Sequence, residues 1–583
     1  MCAMEVSALD RITSFITVAI VSAVPLLHPT VIDAAPDPAN GAVASIDANA
    51  TAIGTEVLRN GGNAVDAAVA TAAALGVTDP FSSGIGGGGF FVYYDADTNK
   101  VHTLDGRETA PGTADHTLFL ENGAPIPFTE AVSSGLGVGT PGTPMTWHYA
   151  LEKWGTHSLS EALAPAEKLA RKGFTVDSTF AGQIENNAER FSRFPATAKL
   201  YLPGGKAPAQ GSNFKNPDLA RTYHDLRRYG ITSLYRGDIG RDIVKTVNHP
   251  QSTTPVRPGL LTEDDLGEYE VIERAPVNSS YRGLDIYGMA PPSSGTTTVG
   301  EALNIIETFP PGSAVDQFHR YLEASRLAFA DRNRWVGDPE FVEVPTDRLL
   351  SQEFANTRAC LIKDNATLQS PVAPGDSDED CDNTGTPAPT NYEGKDTTHL
   401  TVADKWGNVV SYTLTIEQEG GSGMVVPGRG FILNNELTDF SFAPANANTP
   451  DPNLPGPSKR PRSSMAPLIV FKDGQVWLAI GSPGGATIIT TVLQIMIGRV
   501  DQGLSLTDAI AAPRASQRNA AKTDAEPAFM SGPLRAELES RGQVFTQVPE
   551  IGAATGVEKT ADGNWIAAAE PTRRGGGSAV VVP

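Results

Sequence analysis

The spacing of apolar residues predicts two helical regions that pack against a core. After residue 50, apolar positions recur every three or four residues, at Ile53, Val57, Leu58, Val65, Ala68, Val69 and Ala72. The run Asn60-Gly61-Gly62-Asn63 interrupts this period with turn-forming residues. A second period spans Val315 to Trp335 and puts Phe318, Leu322 and Phe329 on one face. Both regions are predicted to be scaffold helices.

Runs of β-forming residues predict two hairpins. Phe90 to Tyr94 is an apolar run typical of a buried strand, and Val101 to Leu104 is its predicted partner. The β-rich runs Thr398 to Ala403 and Val409 to Thr415 flank the turn-forming residues 404–408, which indicates a second hairpin.

The register of the second hairpin brings two threonines together. If Ala403 lies opposite Val409, Thr397 lies opposite Thr415, and their Cβ atoms are roughly 4.5–5.5 Å apart. At that distance one hydroxyl can orient the other, and a slip of one residue would separate them. The polar, proline-rich stretch 369–395 has no hydrophobic period and is predicted to be a solvated linker that leads to Thr397.

A threonine at such a boundary is a candidate hidden N-terminus. Inside a chain its hydroxyl is a poor nucleophile. Once the bond between Asp396 and Thr397 is cut, the Thr397 α-amine, with a pKa of about 7.7–8.0, can act as the base for that hydroxyl. The run Asp396-Thr397-Thr398-His399 is therefore a candidate cleavage site and active site.

Composition and charge exclude several classes of protein. With 583 residues, of which 40% are hydrophobic, the chain is expected to be globular. Its net charge of −22 disfavours nucleic acid and anionic membranes as partners, because phosphate binding needs clustered Lys and Arg. The sequence contains neither H-E-x-x-H nor G-x-S-x-G. It therefore indicates no metal, no cofactor and no serine α/β-hydrolase.

The N-terminus and the cysteines bear on export. The apolar run from about Phe15 to Leu27 predicts a signal peptide over residues 1–35, and a periplasmic or secreted protein that is not inserted in a membrane after processing. An uncleaved anchor and a misplaced start codon are the alternatives. Cys360 and Cys381 flank a polar loop and would pair in an exported protein, with two unrelated thiols as the alternative.

Three glycine-rich runs are candidate backbone binding sites. Gly84 to Gly89 and Gly137 to Gly142 match G-x-G-x-x-G. A strand follows the first and no clear strand precedes the second, so both are predicted to be structural loops. The run Gly481-Ser482-Pro483-Gly484-Gly485-Ala486 lies between an apolar strand and a helical run, so its amides are either oxyanion donors or parts of a tight turn.

Several blocks together resemble the γ-glutamyltransferase family of N-terminal nucleophile hydrolases. They are Asp396 to His399, Asn434 to Phe440, Lys459 to Met465 and Gly481 to Gly485, preceded by Gly86 to Phe90, Asp105 to Glu108, Gly139 to Gly142 and Ala330 to Arg332. The resemblance implies an α/β fold, a four-layer αββα sandwich. It also implies a large subunit, 36–396, and a small subunit, 397–583, cut from one precursor and folded as one intertwined unit.

The resemblance also implies roles for individual residues. Thr397 would cut the chain after Asp396 and then serve as nucleophile, with Thr415 as its hydrogen-bond partner and Gly484 and Gly485 as the oxyanion hole. The residues implied for the amino acid end of the substrate are Arg107, Ser463 and Ser464 for the α-carboxylate and Glu417, Glu436 and Asp439 for the α-ammonium. These types fit, because arginine presents a planar fork to a carboxylate and acidic groups complement an ammonium.

The implied activity is transfer of a γ-glutamyl group from glutathione or a related compound to water, an amino acid or a peptide. One alternative is a related acylase of the glutaryl or cephalosporin type, which the acidic residues disfavour because a glutaryl group has no α-ammonium. Another is an exported binding protein without catalysis, which the intact Thr397 disfavours. Two features depart from many members: Glu417 replaces Asn, and Ala443 to Pro457, where some members have an aromatic lid, has no Tyr or Trp.

Overall fold

Two antiparallel sheets, stacked face to face, form the centre of the fold in the computed structural model of this protein. The structure describes residues 40–376, 381, 386, 394, 396–444 and 450–583. The predicted signal peptide and most of the predicted linker lie outside these residues.

The strands of both sheets come from distant parts of the chain. In chain order they are β1 (Gly41–Ser45), β2 (Gly88–Asp95), β3 (Lys100–Gly106), β4 (Ile272–Arg274), β5 (Val277–Tyr281), β6 (Leu284–Gly288), β7 (Asp396–Ala403), β8 (Val409–Glu417), β9 (Leu468–Lys472), β10 (Gln475–Gly481), β11 (Thr555–Lys559), β12 (Trp565–Ala569) and β13 (Ser578–Val582). The first sheet has the order β13-β1-β7-β8-β2-β3-β4, and the second has the order β12-β11-β10-β9-β6-β5.

Five helices cover the outer faces of the sheets. They are α1 (Ala48–Arg59) and α2 (Ala64–Thr78) on the first sheet, and α3 (Gly295–Glu307), α4 (Ala314–Trp335) and α5 (Thr487–Val500) on the side of the second. Further helices of the described chain are Phe128–Val132, Thr143–Trp154, Leu159–Lys172, Ser178–Asn186, Ala188–Ser192, Pro195–Tyr201, Pro217–Tyr229, Thr232–Tyr235, Asp238–Asn248, Glu263–Gly267, Thr346–Leu349, Gln352–Ala359, Leu506–Ala511, Pro527–Met530 and Leu534–Ser540.

The strand β2 shows how the layers are held together. Successive side chains of a strand point to opposite faces. Phe91 and Tyr93 pack into the core beneath α2, whereas Phe90 and Val92 pack into the core between the sheets. Both faces of this strand are buried, so its sequence is apolar without alternation. The layer order of helices, sheet, sheet and helices confirms the predicted αββα sandwich.

The predicted elements are present with small changes in their bounds. The interruption after Asn60 separates α1 from α2, and the side chain of Asn63 caps α2 in a capping box with Asp66. The hairpin β7–β8 has the predicted register, with Thr397 opposite Thr415. A shift in register before Thr397 places Asp396 opposite Glu417.

Two further features concern the cysteines and the helices. A disulfide joins Cys360 to Cys381, with Cα atoms 5.3 Å apart. Within the described part of the chain, none of the helices combines the length and the hydrophobicity that crossing a membrane requires.

Candidate active site

The position of Thr397 follows from the side-chain alternation of β7. Thr397 and His399 lie on the same face of that strand. The imidazole of His399 packs against Gly481, the last residue of β10, so closely that a Cβ added to Gly481 would lie 2.3 Å from His399 Cε1. Thr397 therefore faces the second sheet, at the point where Gly484 and Gly485 follow β10.

The carbonyl of Asp396, directly before Thr397, is held by Thr415. The Glu417 amide donates to Oγ1 of Thr415 at 2.8 Å, and the Thr415 hydroxyl donates to the Asp396 carbonyl oxygen at 2.9 Å. Since that hydroxyl oxygen accepts from an N–H, its own proton is directed to the carbonyl. The hydroxyl that the resemblance pairs with Thr397 thus polarises, in the uncut chain, the carbonyl carbon next to Thr397.

Arg574 contacts the residues on both sides of the Asp396–Thr397 peptide bond. Its Nη2 lies 2.8 Å from Oδ1 of Asp396, and its Nη1 donates to the Thr397 carbonyl oxygen at 2.8 Å. The Ser82 hydroxyl lies 3.3 Å from the same Asp396 oxygen and 2.9 Å from Oδ1 of Asp79. Burial opposes the charge of Arg574, but Asp396 and Asp79 outweigh it and raise the pKa of the guanidinium.

The turn after β10 leaves two amides available. Gly484 and Gly485 have φ angles of 131° and 56°, which side chains rarely tolerate. Their carbonyls accept hydrogen bonds from the amides of Thr487 and Ile488, at the start of α5. Neither glycine amide has an acceptor among the described residues. Two such amides near a helix N-terminus can stabilise a negatively charged oxygen.

One cavity collects nearly all of the predicted site residues. It is lined by Thr397, Thr415, Gly485, Arg107, Glu417, Glu436, Asp439, Ser463 and Ser464. Gly484 lies in the wall of a neighbouring cleft. The fold therefore brings the ten predicted catalytic and substrate-binding residues to one place around the Asp396–Thr397 bond.

The Arg107 guanidinium is buried among acidic groups and carbonyls. Its Nη1 donates to Glu436 and its Nη2 to Asp439, while Nε donates to the carbonyl oxygen of Pro461 at 3.2 Å. The side chain is 1% exposed. Burial opposes its charge, but the nearby carboxylates outweigh burial and raise the pKa of Arg107. Charge and orientation of this group are thereby fixed.

The acidic side chains hold protons more firmly than free carboxyl groups. Burial raises the pKa of Glu436 to about 7, although Arg107 opposes the shift. Burial and the neighbouring charges of Asp439 and Glu436 raise the pKa of Glu417 well above its usual value. Burial and Glu436 do the same for Glu108. At neutral pH Glu436 is therefore present in both its ionised and its protonated form.

A residue of α4 and a residue just before α3 form hydrogen bonds with Ser463 and Ser464. The Ser463 carbonyl accepts from the amide and the hydroxyl of Ser294, each at 2.7 Å. Arg332 donates to the Ser464 hydroxyl at 2.8 Å and to the Ser294 hydroxyl at 2.7 Å. Arg332 thus fixes the wall of the cavity that Ser463 and Ser464 form.

Four residues at the site were not predicted for it. Glu108 and Asn435 stand inside blocks that carry the resemblance, and Asn435 donates to Glu417. Arg332 also ends such a block. Arg574 had only a weak signal, two arginines before three glycines near the C-terminus. It contacts the carbonyl oxygen of Thr397, 177 positions away in the chain.

A threonine near the start of a β-strand, in an αββα sandwich and next to available amides, defines the class of N-terminal nucleophile hydrolases. The sequence model of the Gamma-glutamyltranspeptidase family matches residues 50–580. The chain belongs to that family.

Curated relatives and a solved structure agree with this placement. The chain is 41% identical over 484 residues to the glutathione hydrolase proenzyme of Bacillus subtilis strain 168, covering 82% of this chain and 80% of that protein. It is 37% identical over 544 residues to the glutathione hydrolase proenzyme of Escherichia coli K12, covering 91% and 90%. The crystal structure of cephalosporin acylase from Bacillus halodurans superposes with a TM-score of 0.81 at 28% identity, covering 93% of this chain and 96% of that one.

Proposed function

We propose that this protein is a γ-glutamyl acyltransferase and glutathione hydrolase that matures by cutting its own chain before Thr397. The observation that carries the proposal is the single cavity in which Thr397 lies beside Arg107 and the carboxyl groups of Glu417, Glu436 and Asp439. A nucleophile and a set of charges suited to an amino acid thus share one site.

The proposed maturation begins at the Asp396 carbonyl. Oγ1 of Thr397 attacks the Asp396 carbonyl carbon and gives up its proton. The C–N bond then breaks, and the nitrogen takes up that proton as it becomes the Thr397 α-amine. Water then hydrolyses the resulting ester and leaves a carboxylate on Asp396. The Thr415 hydrogen bond supports this step, because it draws electron density from the carbonyl that is attacked.

The charges of the cavity match the amino acid end of a γ-glutamyl compound. In the uncut chain, Arg107 and the carboxylates of Glu436 and Asp439 bind each other. A zwitterion can insert between them, with its α-carboxylate on Arg107 and the Ser463 and Ser464 side, and its α-ammonium on the acidic side. Each buried charge then keeps an opposite partner, which avoids the cost of an unpaired ion.

Acyl transfer then repeats the chemistry of maturation. The Thr397 amine takes the proton from its own hydroxyl as the oxygen attacks the γ-carbonyl carbon, and the amides of Gly484 and Gly485 bind the oxyanion. The γ C–N bond breaks and the departing amine leaves with the proton. Water, an amino acid or a peptide next attacks the γ-glutamyl ester and frees Thr397.

Cleavage has to precede substrate binding. The cavity of the uncut chain has a volume of about 20 Å³, enough for about one water molecule and far below the roughly 300 Å³ or more of a typical small-molecule site. Gly394 fills part of it, since a Cβ on Gly394 would lie 2.4 Å from Oε1 of Glu417. Gly394 must therefore move out of the cavity before a γ-glutamyl group can enter.

The proposal is tested by comparing the wild type with Thr397→Ala. We expect the wild type to give two bands on a denaturing gel, with N-terminal sequences beginning near Pro36 and at Thr397, and to release p-nitroaniline from γ-glutamyl-p-nitroanilide. The variant should stay uncut and inactive, because it lacks the attacking hydroxyl. An N-terminus near Pro36 would also support the proposed signal peptide and export.

Two outcomes would contradict the proposal. A wild type that stays in one band but is fully active would remove Thr397 as nucleophile. A wild type that is cut but ignores the anilide, while it hydrolyses glutaryl amides, would favour the acylase alternative. Arg107→Ala distinguishes the γ-glutamyltransferase hypothesis from the acylase hypothesis further. The substitution should raise KM for the γ-glutamyl anilide strongly and leave KM unchanged for a substrate without an α-carboxylate.

A further inference from the structure

A buried carboxyl group without an assigned role lies at the C-terminal end of α2. Asp79 directly follows this helix, and its side chain is buried. Its Oδ1 lies 2.9 Å from the Ser82 hydroxyl, whereas its Oδ2 has no hydrogen-bond partner in the part of the chain that the structure describes. Because buried polar atoms of native proteins rarely lack a partner, this oxygen is a candidate to gain one when the chain is cut.

We propose that Asp79 is a positioning residue for the nucleophile of the mature enzyme. After the cut Asp396 leaves Arg574, the Asp79 carboxylate takes its place, and Arg574 continues to hold the carbonyl of Thr397. This inference rests on the proposed self-cleavage and adds to it an exchange of partners that keeps the nucleophile in position.

The first argument is the short path from Asp79 to Thr397. The Ser82 hydroxyl, next to Asp79, also lies 3.4 Å from Nη1 of Arg574. The same Nη1 donates to the Thr397 carbonyl oxygen at 2.8 Å. One hydroxyl group therefore separates Asp79 from the nitrogen that binds the nucleophilic residue.

The second argument concerns the acidic groups around Arg574. Of the carboxyl groups that raise the pKa of its guanidinium, Asp396 has the largest effect and Asp79 the next, ahead of Glu550 and Glu419. Glu550 accepts from the backbone amide of Arg574 at 3.1 Å, and Glu419 accepts from a side-chain amide at 2.5 Å. Asp79 is thus the carboxyl group best placed to replace Asp396.

The third argument is that local hydrogen bonds fix the backbone of Asp79. Its amide donates to the Leu75 carbonyl oxygen at 2.7 Å, and its own carbonyl accepts from the amides of Ser82 and Ser83 at 3.2 and 3.3 Å. These bonds attach Asp79 to the end of α2, which covers the first sheet. They do not involve the bond that is cut, so Asp79 stays next to Arg574.

Asp396 has no such support after the cut. It becomes the end of the half that precedes Thr397, and Gly394, two residues earlier, has to move out of the cavity. Loss of a carboxylate partner is unfavourable for a buried guanidinium unless another carboxylate replaces it. Asp79 supplies that replacement to Arg574.

The protonation of Asp79 fits the exchange. In the uncut chain burial raises the pKa of Asp79 well above its usual value, Arg574 opposes the shift, and the charges of Asp396 and Asp47 add to it. Once Asp396 has left, its repulsion is lost while the attraction of Arg574 remains, so the pKa of Asp79 falls. The group therefore ionises when Arg574 needs a new partner.

The test compares Asp79→Asn with the matched control Asp47→Asn, each purified after the cut. Asparagine keeps the shape of aspartate and removes its charge, and at residue 47 it can still accept from the Ala50 amide, which caps α1 at 2.8 Å. We expect Asp79→Asn to lower kcat for γ-glutamyl-p-nitroanilide by about tenfold and to leave KM within about twofold, because the guanidinium that orients Thr397 loses its charged partner. Asp47→Asn should keep the wild-type values.

The rate of self-cleavage distinguishes the exchange from a general role in folding. Arg574 still has Asp396 in the uncut chain, so Asp79→Asn should be cut at about the wild-type rate. Asp79→Glu, which keeps the charge, should recover part of the lost kcat. An unchanged kcat in Asp79→Asn, an equal loss in Asp47→Asn, or slow cutting of Asp79→Asn would overturn the inference.

A crystal structure of the cut wild type provides a second measurement that needs no variant. We expect an Asp79 oxygen about 2.7–2.9 Å from a guanidinium nitrogen of Arg574, with Asp396 elsewhere. A separation of more than about 4 Å, or Asp396 still bound to Arg574, would overturn the inference. A wild type that is neither cut nor active refutes the proposed function, whereas a cut and active wild type without this contact refutes only the role of Asp79.

Discussion

At the scale of single residues, Thr415 has a more specific position than the sequence alone indicates. Its hydroxyl accepts from one buried amide and donates to the Asp396 carbonyl. Removing the hydroxyl leaves both of these groups without that partner and leaves the attacked carbonyl unpolarised. We therefore propose that Thr415 acts in the step that cuts the chain.

We predict that Thr415→Val slows self-cleavage by about two orders of magnitude or more, as expected for loss of one hydrogen bond to the developing oxyanion. Thr415→Ser should restore most of the rate, because it keeps the hydroxyl. The measurement is the conversion of precursor into two bands over time. Cleavage of the valine variant at the wild-type rate would show that this hydrogen bond is not needed.

Glu436 gives a prediction about pH. With a pKa of about 7 it gains its negative charge as the pH rises through neutrality. An ionised Glu436 attracts the α-ammonium of a substrate, so KM for a γ-glutamyl donor should fall between about pH 6 and about pH 8. In Glu436→Gln this part of the KM profile should be flat. Titration of the Thr397 α-amine should change kcat rather than KM. Separate pH profiles of kcat and KM therefore distinguish this amine from Glu436.

At the scale of elements, the contact between β7 and β10 sets the distance from Thr397 to the two glycine amides. The His399 ring lies directly on the Gly481 backbone, and burial lowers the pKa of His399 to about 3, so the ring is neutral at working pH. The imidazole acts here as a rigid spacer between the sheets.

We predict that Gly481→Ala destabilises the protein by roughly 1–3 kcal/mol, because the added methyl group overlaps His399. It should also lower kcat, since β10 leads into Gly484. Gly267→Ala is the control, because a Cβ there meets neighbours only at 3.9 Å. Denaturant unfolding and kcat of both variants provide the measurement, and equal stability would contradict the spacer role.

The elements also show how much of the fold can be predicted from the sequence. The register of β7 and β8 is predictable, because a short turn and an alternating pattern fix it locally. The pairing of β13 with β1 is not, because it joins opposite ends of the chain and neither strand has a local partner. The sequence leaves the role of the Gly484 turn open for a similar reason. Oxyanion donors are favoured because the amides of Gly484 and Gly485 have no acceptor in the described part of the chain, and only the tertiary structure reveals this. The six residues of the proposed γ-glutamyl pocket were predicted from family resemblance rather than from periodicity.

At the scale of the whole molecule, the two halves on either side of the Asp396–Thr397 bond share both sheets. In the first sheet, β7 and β8 follow the cut and lie between β1 and β2, which precede it. In the second sheet, β9 follows the cut and pairs with β6, which precedes it. Cutting one bond therefore leaves continuous ladders of hydrogen bonds and two shared cores.

We predict that the halves stay together after cleavage, even in about 1 M NaCl, where charge interactions are screened within roughly 3 Å. Size-exclusion chromatography in high salt should give one peak that contains both bands, and separation should require a denaturant. Two peaks in salt alone would mean that ion pairs, and not the shared sheets, hold the halves.

The glycine that lies against Glu417 has a consequence for timing. As long as Gly394 occupies the cavity, glutathione neither enters the uncut chain nor competes with it, and the attacking and attacked groups belong to the same molecule. Maturation is then a first-order process, whose half-life depends on neither the protein concentration nor the supply of substrate. Each newly made chain would wait the same average time before it becomes active, so the rate at which active enzyme appears would follow the amount of uncut chain.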